Sequence, residues 1–272
     1  MRFLFRVVVL LLCGLALIIV AIIFYYGSLP NIRCRLAKAG PLSPGSSFRR
    51  LVSGGRERCY LLFVPSLHPP LGSCPVVLSL HGFASNPYEQ RRYTRWEDLA
   101  QRYGFVVVYP QGSLAPLRWN TSPTARLPGV DDAQLVHDIL VDLEAKIPLD
   151  RDRIYATGFS NGGQMAHQVG CLLADEIAAI GVVAGAGPDP TGGCNPIRPV
   201  PVIAFFGTRD PLSEPMGLPD WLVDLIFNVS VEASPTLPTS PAEWASGWAS
   251  RNACDPQPEV SDRLPGARIN HY

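Results

Sequence analysis

Short, almost purely apolar runs alternate with helical patterns between residues 58 and 206. Apolar runs bounded by turn-forming residues predict strands buried on both faces, and apolar residues spaced three and four apart predict helices. The predicted strands cover residues 58–64, 75–80, 105–109, 153–157, 179–184 and 200–206, and the predicted helices cover 96–103, 131–146 and 161–174. This alternation predicts an α/β domain over residues 58–272, with a mostly parallel central sheet and helices on both faces.

The first 27 residues have a different pattern. Arg2 and Arg6 precede the uncharged run 7–27, which ends in three aromatic residues and a glycine. The 21 residues of this run match the ~20 needed to span a bilayer, whereas the apolar core of a signal peptide has about 7–15. We therefore expect one transmembrane helix, an uncleaved signal-anchor in preference to a cleaved signal peptide. The rest of the protein would then be secreted or anchored facing the outside. Residues 28–57, rich in Gly, Pro, Ser and Arg, predict a linker.

Composition and charge exclude some classes of function. Lys and Arg number 23, Asp and Glu also number 23, and no basic run occurs, so the chain lacks the charge pattern of a nucleic-acid-binding protein. A hydrophobic content of 47% with only 17% charged residues excludes intrinsic disorder. The 272 residues suffice for one large core.

Cysteine usage indicates an oxidising compartment. Outside the apolar N-terminal run, the sequence contains Cys34, Cys59, Cys74, Cys171, Cys194 and Cys254. Six cysteines could form three disulfides in fifteen connectivities, so we expect at least one disulfide and assign no pair. Because no CxxC motif or Cys/His cluster occurs, we predict neither a metal site nor a cofactor.

A G-x-S-x-G pattern, from Gly158 to Gly162, lies between a predicted strand and a predicted helix. In this context the pattern predicts a nucleophile elbow, a strained turn that exposes Ser160 at the edge of the sheet. Glycines at 158 and 162 allow close backbone approach, and the helix N-terminus favours negative charge above Ser160. The alternative is a glycine-rich loop with an ordinary serine.

The turn from His81 to Ala84 follows a predicted inner strand. At this place in an α/β-hydrolase, one backbone N–H binds the oxyanion, and the residue after the nucleophile supplies the second. These positions are Phe83 and Asn161. His81 is better suited to holding the shape of this turn than to acting as the general base.

Asp210 lies in the loop after the last predicted strand. A triad carboxylate belongs there in the chain order Ser, Asp, His, where it would orient the histidine and stabilise its cation. The alternative is a turn aspartate before Pro211, since Asp-Pro sequences are common in turns.

The general base is harder to assign. The five histidines are His68, His81, His137, His167 and His271. His137 and His167 lie within predicted helices, and His68 precedes the oxyanion strand. His271 is the one that follows Asp210, but it is the penultimate residue, and chain ends fray. His271 is therefore a disfavoured base.

Several ordered motifs together resemble one family. They are LHGFASN at 80–86, GFVVVYPQG at 104–112, GVDD at 129–132, DRIYATGFSNGGQMA at 152–166, FFGTRDP at 205–211 and WASRNAC at 248–254. They resemble the secreted esterases that include polyhydroxybutyrate depolymerases, feruloyl esterases and acetylxylan esterases. The resemblance implies an α/β-hydrolase fold and a Ser–Asp–His triad, with Ser160 as nucleophile and Asp210 as acid.

The C-terminal part departs from that pattern. In the family, a further strand and a Gly-Gly-His-type loop follow the WASRNAC segment and supply the base, whereas this sequence ends at Tyr272. His271 does not match the family's catalytic position. A shortened chain, a degenerate paralogue and local substitution by His271 remain open, in that order of preference.

These observations predict a serine esterase that forms an acyl-enzyme on Ser160. Its substrate would be an ester, either small or polymeric, such as a polyester or a plant cell-wall polysaccharide ester. Two alternatives are a catalytically inactive binding module with the esterase fold and a peptidase with the same fold.

Overall fold

The computed structural model describes residues 14, 17–18, 42–66, 73–113, 117–121, 129–187, 189, 193–208, 210, 240–255, 257–264 and 267–272. Of the predicted transmembrane helix at residues 7–27, residues 14, 17 and 18 alone are within these ranges, and residues 28–41 of the predicted linker are outside them. Within the described ranges, no helix has both the length and the apolar character needed to cross a membrane.

Seven of the described strands form one sheet. They are β1 (Gly45–Ser53), β2 (Arg56–Val64), β3 (Cys74–Leu80), β4 (Val106–Pro110), β5 (Leu149–Phe159), β6 (Ala179–Val183) and β7 (Val202–Phe205). Their order across the sheet is β1-β2-β4-β3-β5-β6-β7. The strands from β4 to β7 in this order pair in parallel, and β1 and β2 add an antiparallel edge. The predicted mostly parallel α/β sheet is confirmed.

The described helices are α1 (Pro87–Thr94), α2 (Trp96–Tyr103), α3 (Asp132–Glu144), α4 (Asn161–Leu172) and α5 (Pro241–Arg251). Three of them begin at a side chain that accepts hydrogen bonds from the first helical N–H groups: Asn86, Asp131 and Ser240. The predicted helices correspond to α2, α3 and α4. Helices α1 and α5 were not predicted, although Pro87 and Pro241 at their first turns are typical helix-start residues.

The core lies on both faces of the sheet. The larger cluster packs α3, α4 and α5 against the sheet, and includes Leu78, Ile139 and Met165, all fully buried. A smaller cluster on the second face contains Leu61 and Tyr109, against which Trp96 of α2 packs. Because β3 and β4 are covered on both faces, their carboxyl ends are held rigidly at one edge of the sheet.

The predicted linker is wrong for residues 45–57. This segment forms β1 and the turn into β2, and the two strands pair over nine positions. Gly54 and Gly55 make the turn with φ of 54° and 73°, values that glycine adopts without strain. Phe48 stacks on Tyr88, and Leu51 packs against the larger core. The domain therefore includes residues from Gly45 onward, because β1 is a part of the sheet.

The last residues form a separate antiparallel hairpin of β8 (Glu259–Leu264) and β9 (Ala267–His271). In the described part of the chain, these two strands pair with each other and not with the main sheet.

Candidate active site

Ser160 lies alone between the end of β5 and the start of α4. Its backbone has φ 53° and ψ −122°, a conformation that L-residues rarely adopt. Two hydrogen bonds hold it there: the Ser160 N–H donates to the Val183 carbonyl at 2.8 Å, and the Ser160 carbonyl accepts from Gln164 N–H at 3.0 Å. The turn has the geometry expected of a nucleophile elbow.

The glycines of the motif are needed for close backbone contacts. A Cβ on Gly158 would lie 2.0 Å from the Gly162 carbonyl oxygen, and a Cβ on Gly162 would lie 2.2 Å from the Leu80 carbonyl oxygen. Both distances are far below van der Waals contact, and the obstructing atoms belong to the backbone. No residue with a side chain fits at either position without moving β3 or α4.

The two predicted oxyanion positions lie beside Ser160. The turn from His81 to Ala84 follows β3 directly, and a Cβ on Gly82 would be 3.6 Å from the Ser160 Cβ. Asn161 is the first residue of α4, where backbone N–H groups have no acceptor within the helix. The structure thus places Asn161 and the turn that contains Phe83 next to the same serine.

His81 is fully buried beneath this turn. Its Nδ1 hydrogen bonds to the Gly82 carbonyl at 2.8 Å, and its Nε2 accepts from the Gly112 N–H at 3.0 Å. Nδ1 must therefore carry the proton. Burial lowers the pKa of His81 to about 4. These contacts agree with the expectation that His81 holds the shape of the turn.

Asp210 lies just beyond the carboxyl end of β7, half-buried, with its N–H donating to the Gly207 carbonyl at 3.2 Å. Because β5, β6 and β7 are adjacent and parallel, Asp210 and Ser160 lie at the same edge of the sheet, with β6 between them.

The other described histidines lie on three different elements, α3, α4 and β9. His137 pairs with Glu176 at 2.7 Å, and that hydrogen bond raises the pKa of His137. His167 is fully buried; its Nδ1 accepts from the Trp248 indole at 3.1 Å, and its Nε2 lies 3.2 Å from Asp189. His271 is exposed on β9, opposite Glu259. His68 lies outside the described residues, so the base stays unassigned.

Three of the described cysteines are oxidised. Cys171 and Cys194 form a disulfide, and Cys59 is disulfide-bonded as well, which confirms the expectation of at least one disulfide. His167, Cys171 and Cys194 have ligand atoms within 4.8 Å of one another. They do not constitute a metal site, since the two sulfur atoms are bonded to each other and neither is a thiolate.

Sequence comparison decides the family. The profile described as esterase PHB depolymerase matches residues 58–224, more than half of the chain. The chain belongs to this esterase family. A bifunctional acetylxylan esterase/xylanase of Neocallimastix patriciarum is 33% identical over 165 residues, 61% of this chain and 23% of that protein. Feruloyl esterase B of Piromyces equi is 30% identical over 149 residues, 51% of this chain and 26% of that protein. The chain therefore spans about a quarter of the length of these relatives.

The fold is also found among solved structures. The acetyl xylan esterase from Aspergillus awamori superposes with a TM-score of 0.55, covering 83% of this chain and 88% of that one, at 15% identity. This likeness concerns the fold alone. The fold of this family member is of the α/β-hydrolase type.

Sequence reasoning missed the groups that pack around Ser160 in this family member. Gly185 follows β6, and a Cβ there would lie 2.6 Å from the Ser160 carbonyl oxygen. Trp119 is buried, and its indole lies against the imidazole of His81, with 4.9 Å between the ring centres. The signal for Gly185 was its place after a strand adjacent to the elbow strand.

Proposed function

We propose that the protein is a serine carboxylic-ester hydrolase that works through an acyl-enzyme on Ser160. The observation that carries the proposal is the backbone of Ser160, held at φ 53° and ψ −122° between β5 and the N-terminus of α4. A strained serine at this place, beside the turn after β3, supports an acyl-transfer mechanism. Membership of the esterase family supports the ester as the substrate class.

The proposed reaction has two steps. Ser160 Oγ attacks the ester carbonyl while a general base takes its proton, and the N–H groups of Phe83 and Asn161 stabilise the oxyanion. The tetrahedral intermediate then releases the alcohol, which receives the proton, and leaves an acyl group on Ser160. Water, activated by the same base, releases the acid. We assign Asp210 to orienting the base and stabilising its cation.

The relatives support a class of substrate to test first. The relatives from Neocallimastix patriciarum and Piromyces equi are named as an acetylxylan esterase/xylanase and a feruloyl esterase. Acetyl and feruloyl esters of polysaccharides are therefore the first substrates to examine. The disulfide between Cys171 and Cys194 supports a location in an oxidising compartment, as expected for an exported protein.

The test is hydrolysis of 4-nitrophenyl acetate, methyl ferulate and acetylated xylan by the full chain, together with labelling by a fluorophosphonate probe. Ser160→Ala should abolish both, and Ser246→Ala, at an exposed position on α5, should change neither. Activity that survives in Ser160→Ala would remove Ser160 as nucleophile.

A second candidate is a binding module with the esterase fold. It is favoured by one observation, that both ring nitrogens of His81 and of His167 are engaged in the interior. Binding of acetylated xylan that is unchanged by Ser160→Ala, with no hydrolysis and no labelling by a folded protein, would favour this candidate over the hydrolase.

A further inference from the structure

Residues 117–121, which we call the Trp119 segment, contact the turn after β3. The Trp119 indole N–H donates to the His81 carbonyl at 2.7 Å, and the Leu117 carbonyl accepts from Ala84 N–H at 2.8 Å. These two bonds lie on either side of Phe83. One holds the carbonyl of His81, two residues before Phe83, and the other holds the N–H of Ala84, the residue after it. The Trp119 segment therefore fixes the orientation of the Phe83 peptide.

The same segment also contacts the start of α4. The Trp119 backbone N–H donates to Asn161 Oδ1 at 2.7 Å, and Asn161 Nδ2 donates to Thr121 Oγ1 at 3.1 Å. Gln164 and Gln168 complete this contact: Gln164 Oε1 accepts from Thr121 Oγ1 at 3.1 Å, and Gln168 Nε2 donates to the Thr121 carbonyl. Asn161 Nδ2 also donates to Gln164 Oε1 in its own helix at 3.2 Å, so both polar atoms of the Asn161 side chain are bonded.

A buried ion pair anchors the Trp119 segment to the domain. Asn120 N–H donates to Asp132 Oδ2 at 2.8 Å, and Asp132 Oδ1 pairs with Arg58 at 2.6 Å. Both charged side chains are almost fully buried. Loss of either partner would leave a buried charge unpaired, which typically costs several kcal/mol. The segment is consequently a rigid support for whatever it contacts.

From these contacts we propose that Trp119 and the side chain of Asn161 are positioning residues, which set the separation between the two oxyanion donors, the N–H groups of Phe83 and Asn161. This inference rests on the proposed function. Trp119 contacts both donors' surroundings. Its indole N–H binds the turn that contains Phe83, and its backbone N–H binds the side chain of Asn161. Because its ring is buried against His81, its rotamer is fixed, and so is the distance it spans.

Preorganised donors matter because the oxyanion develops only in the transition state. Loss of one donor typically costs about 10²–10³ in kcat, and misplacement by about 1 Å can cost about 10². Ground-state binding depends much less on these N–H groups, so the effect of a misplaced donor falls on kcat and not on KM.

The first part of the test is kinetic. Trp119→Phe keeps an aromatic ring against His81 and removes the indole N–H, and Asn161→Ala keeps the backbone donor and removes the amide side chain. We expect each to lower kcat for 4-nitrophenyl acetate about 10- to 100-fold, with KM changed less than about threefold. Trp96→Phe is the matched control, since Trp96 packs against Phe105 on the second face of the sheet, and it should leave kcat unchanged. A folded Trp119→Phe variant with kcat within twofold of the parent overturns the proposal.

The second part does not need turnover. In ¹H–¹⁵N spectra, Trp119→Phe should shift the amide resonances of both Phe83 and Asn161, whereas Trp96→Phe should shift neither. If the parent chain hydrolyses no ester, the proposed function fails, and the spectra still decide the positioning role. Amide resonances of Phe83 and Asn161 that stay in place in a folded Trp119→Phe variant overturn it.

Discussion

The residue proposed to do the chemistry also has a strained backbone. Ser160 is one of five described non-glycine residues with a positive φ, and it is the only one of these five that a G-x-S-x-G motif encloses. Backbone strain of this kind costs about 1–3 kcal/mol and persists only where the surroundings over-determine it. Here the surroundings are the bonds to Val183 and Gln164 and the backbone packing of Gly158 and Gly162.

Relief of this strain gives a prediction about stability. Ser160→Gly should be more stable than Ser160→Ala by about 1 kcal/mol, because glycine adopts φ 53° freely and this gain exceeds its entropic cost. Urea unfolding followed by circular dichroism measures the difference. At Ser246, exposed within α5, the order should reverse, with Gly less stable than Ala by about 1 kcal/mol. The strain argument is wrong if Ala is the more stable residue at both positions.

Another residue-level prediction concerns His81. Its Nδ1–H tautomer should stay neutral from pH 8 to pH 5, since burial lowers its pKa to about 4. ¹⁵N-detected NMR of the imidazole nitrogens measures this directly. His137 is the internal control, and it should titrate above the ordinary histidine range, because Glu176 raises its pKa. A His81 signal that titrates near pH 6.5 would contradict the assigned hydrogen bonds.

The lowered pKa of His81 has a consequence for folding. Between about pH 6.5 and pH 4, the unfolded chain binds a proton at this imidazole that the folded protein does not. The contribution of His81 to stability is therefore complete above pH 6.5 and is lost as the pH falls toward 4. A change from 6.5 to about 4 corresponds to roughly 3 kcal/mol.

At the scale of elements, α4 connects the candidate site to the core. Its first residues bind the Trp119 segment, and its far end carries His167 and Cys171. Asp189 there accepts from His167 and pairs with Arg251 of α5 at 2.6 Å, and these contacts lower the pKa of Asp189. The far end of α4 is thus fastened to α5 and to the segment after β6.

The disulfide at that end predicts a loss of stability without a loss of chemistry. Replacing Cys171 and Cys194 together by Ala opens a loop of 23 residues and should lower the free energy of unfolding by about 3 kcal/mol. The kcat should stay within about twofold, because Cys171 lies roughly 16 Å along the helix from Ser160. Cys254→Ala, at a half-buried thiol, is the control and should change stability by less than about 0.5 kcal/mol. If kcat falls when the disulfide is removed, a structural change at the far end of α4 must reach Ser160 through the helix.

The elements that the sequence predicts well are those buried by periodic apolar residues. Strands β2 to β7 have continuous apolar runs, and helices α2 to α4 have apolar stripes, and both patterns can be recognised from the local sequence without knowledge of the tertiary structure. Strand β1 was missed because an edge strand with one covered face has Arg and Ser at most of its positions, although Gly54-Gly55 was a turn signal. Helix α1 was missed because its sequence, PYEQRRYT, lacks an apolar stripe, and because Asn86 was not recognised as an N-cap residue.

At the scale of the whole molecule, the candidate site draws on distant parts of the chain. Motifs in the sequence indicate Ser160, Phe83, Asn161 and Asp210, because each motif has a local backbone requirement. The Trp119 segment has no such requirement. Its contacts with residues 81–84 and with Asn161 are tertiary, some 40 residues apart in sequence, and only the folded sheet brings them together.

The extent of the domain is a property of the whole molecule as well, and it can be tested by truncation. Residues 56–272 lack β1 and expose the edge of β2, together with the core surfaces that Phe48 and Leu51 cover. Full burial of two such side chains would contribute about 3–6 kcal/mol, and since both are half-buried, the lost contribution is roughly half of this, so the Tm should fall by roughly 5–10 °C relative to residues 42–272.

Residues 42–258 provide the matched truncation, because they lose β8 and β9, which pair only with each other among the described strands. Differential scanning fluorimetry should find their Tm within a few degrees of that of residues 42–272. Both antiparallel pairs lie near an end of the fragment 42–272, so a difference between the two truncations measures integration into the sheet and not proximity to a terminus of that fragment. Equal losses of Tm would show that β1 is an accessory to the domain. A large loss for residues 56–272 alone would establish β1 as the strand that completes the antiparallel edge of the sheet.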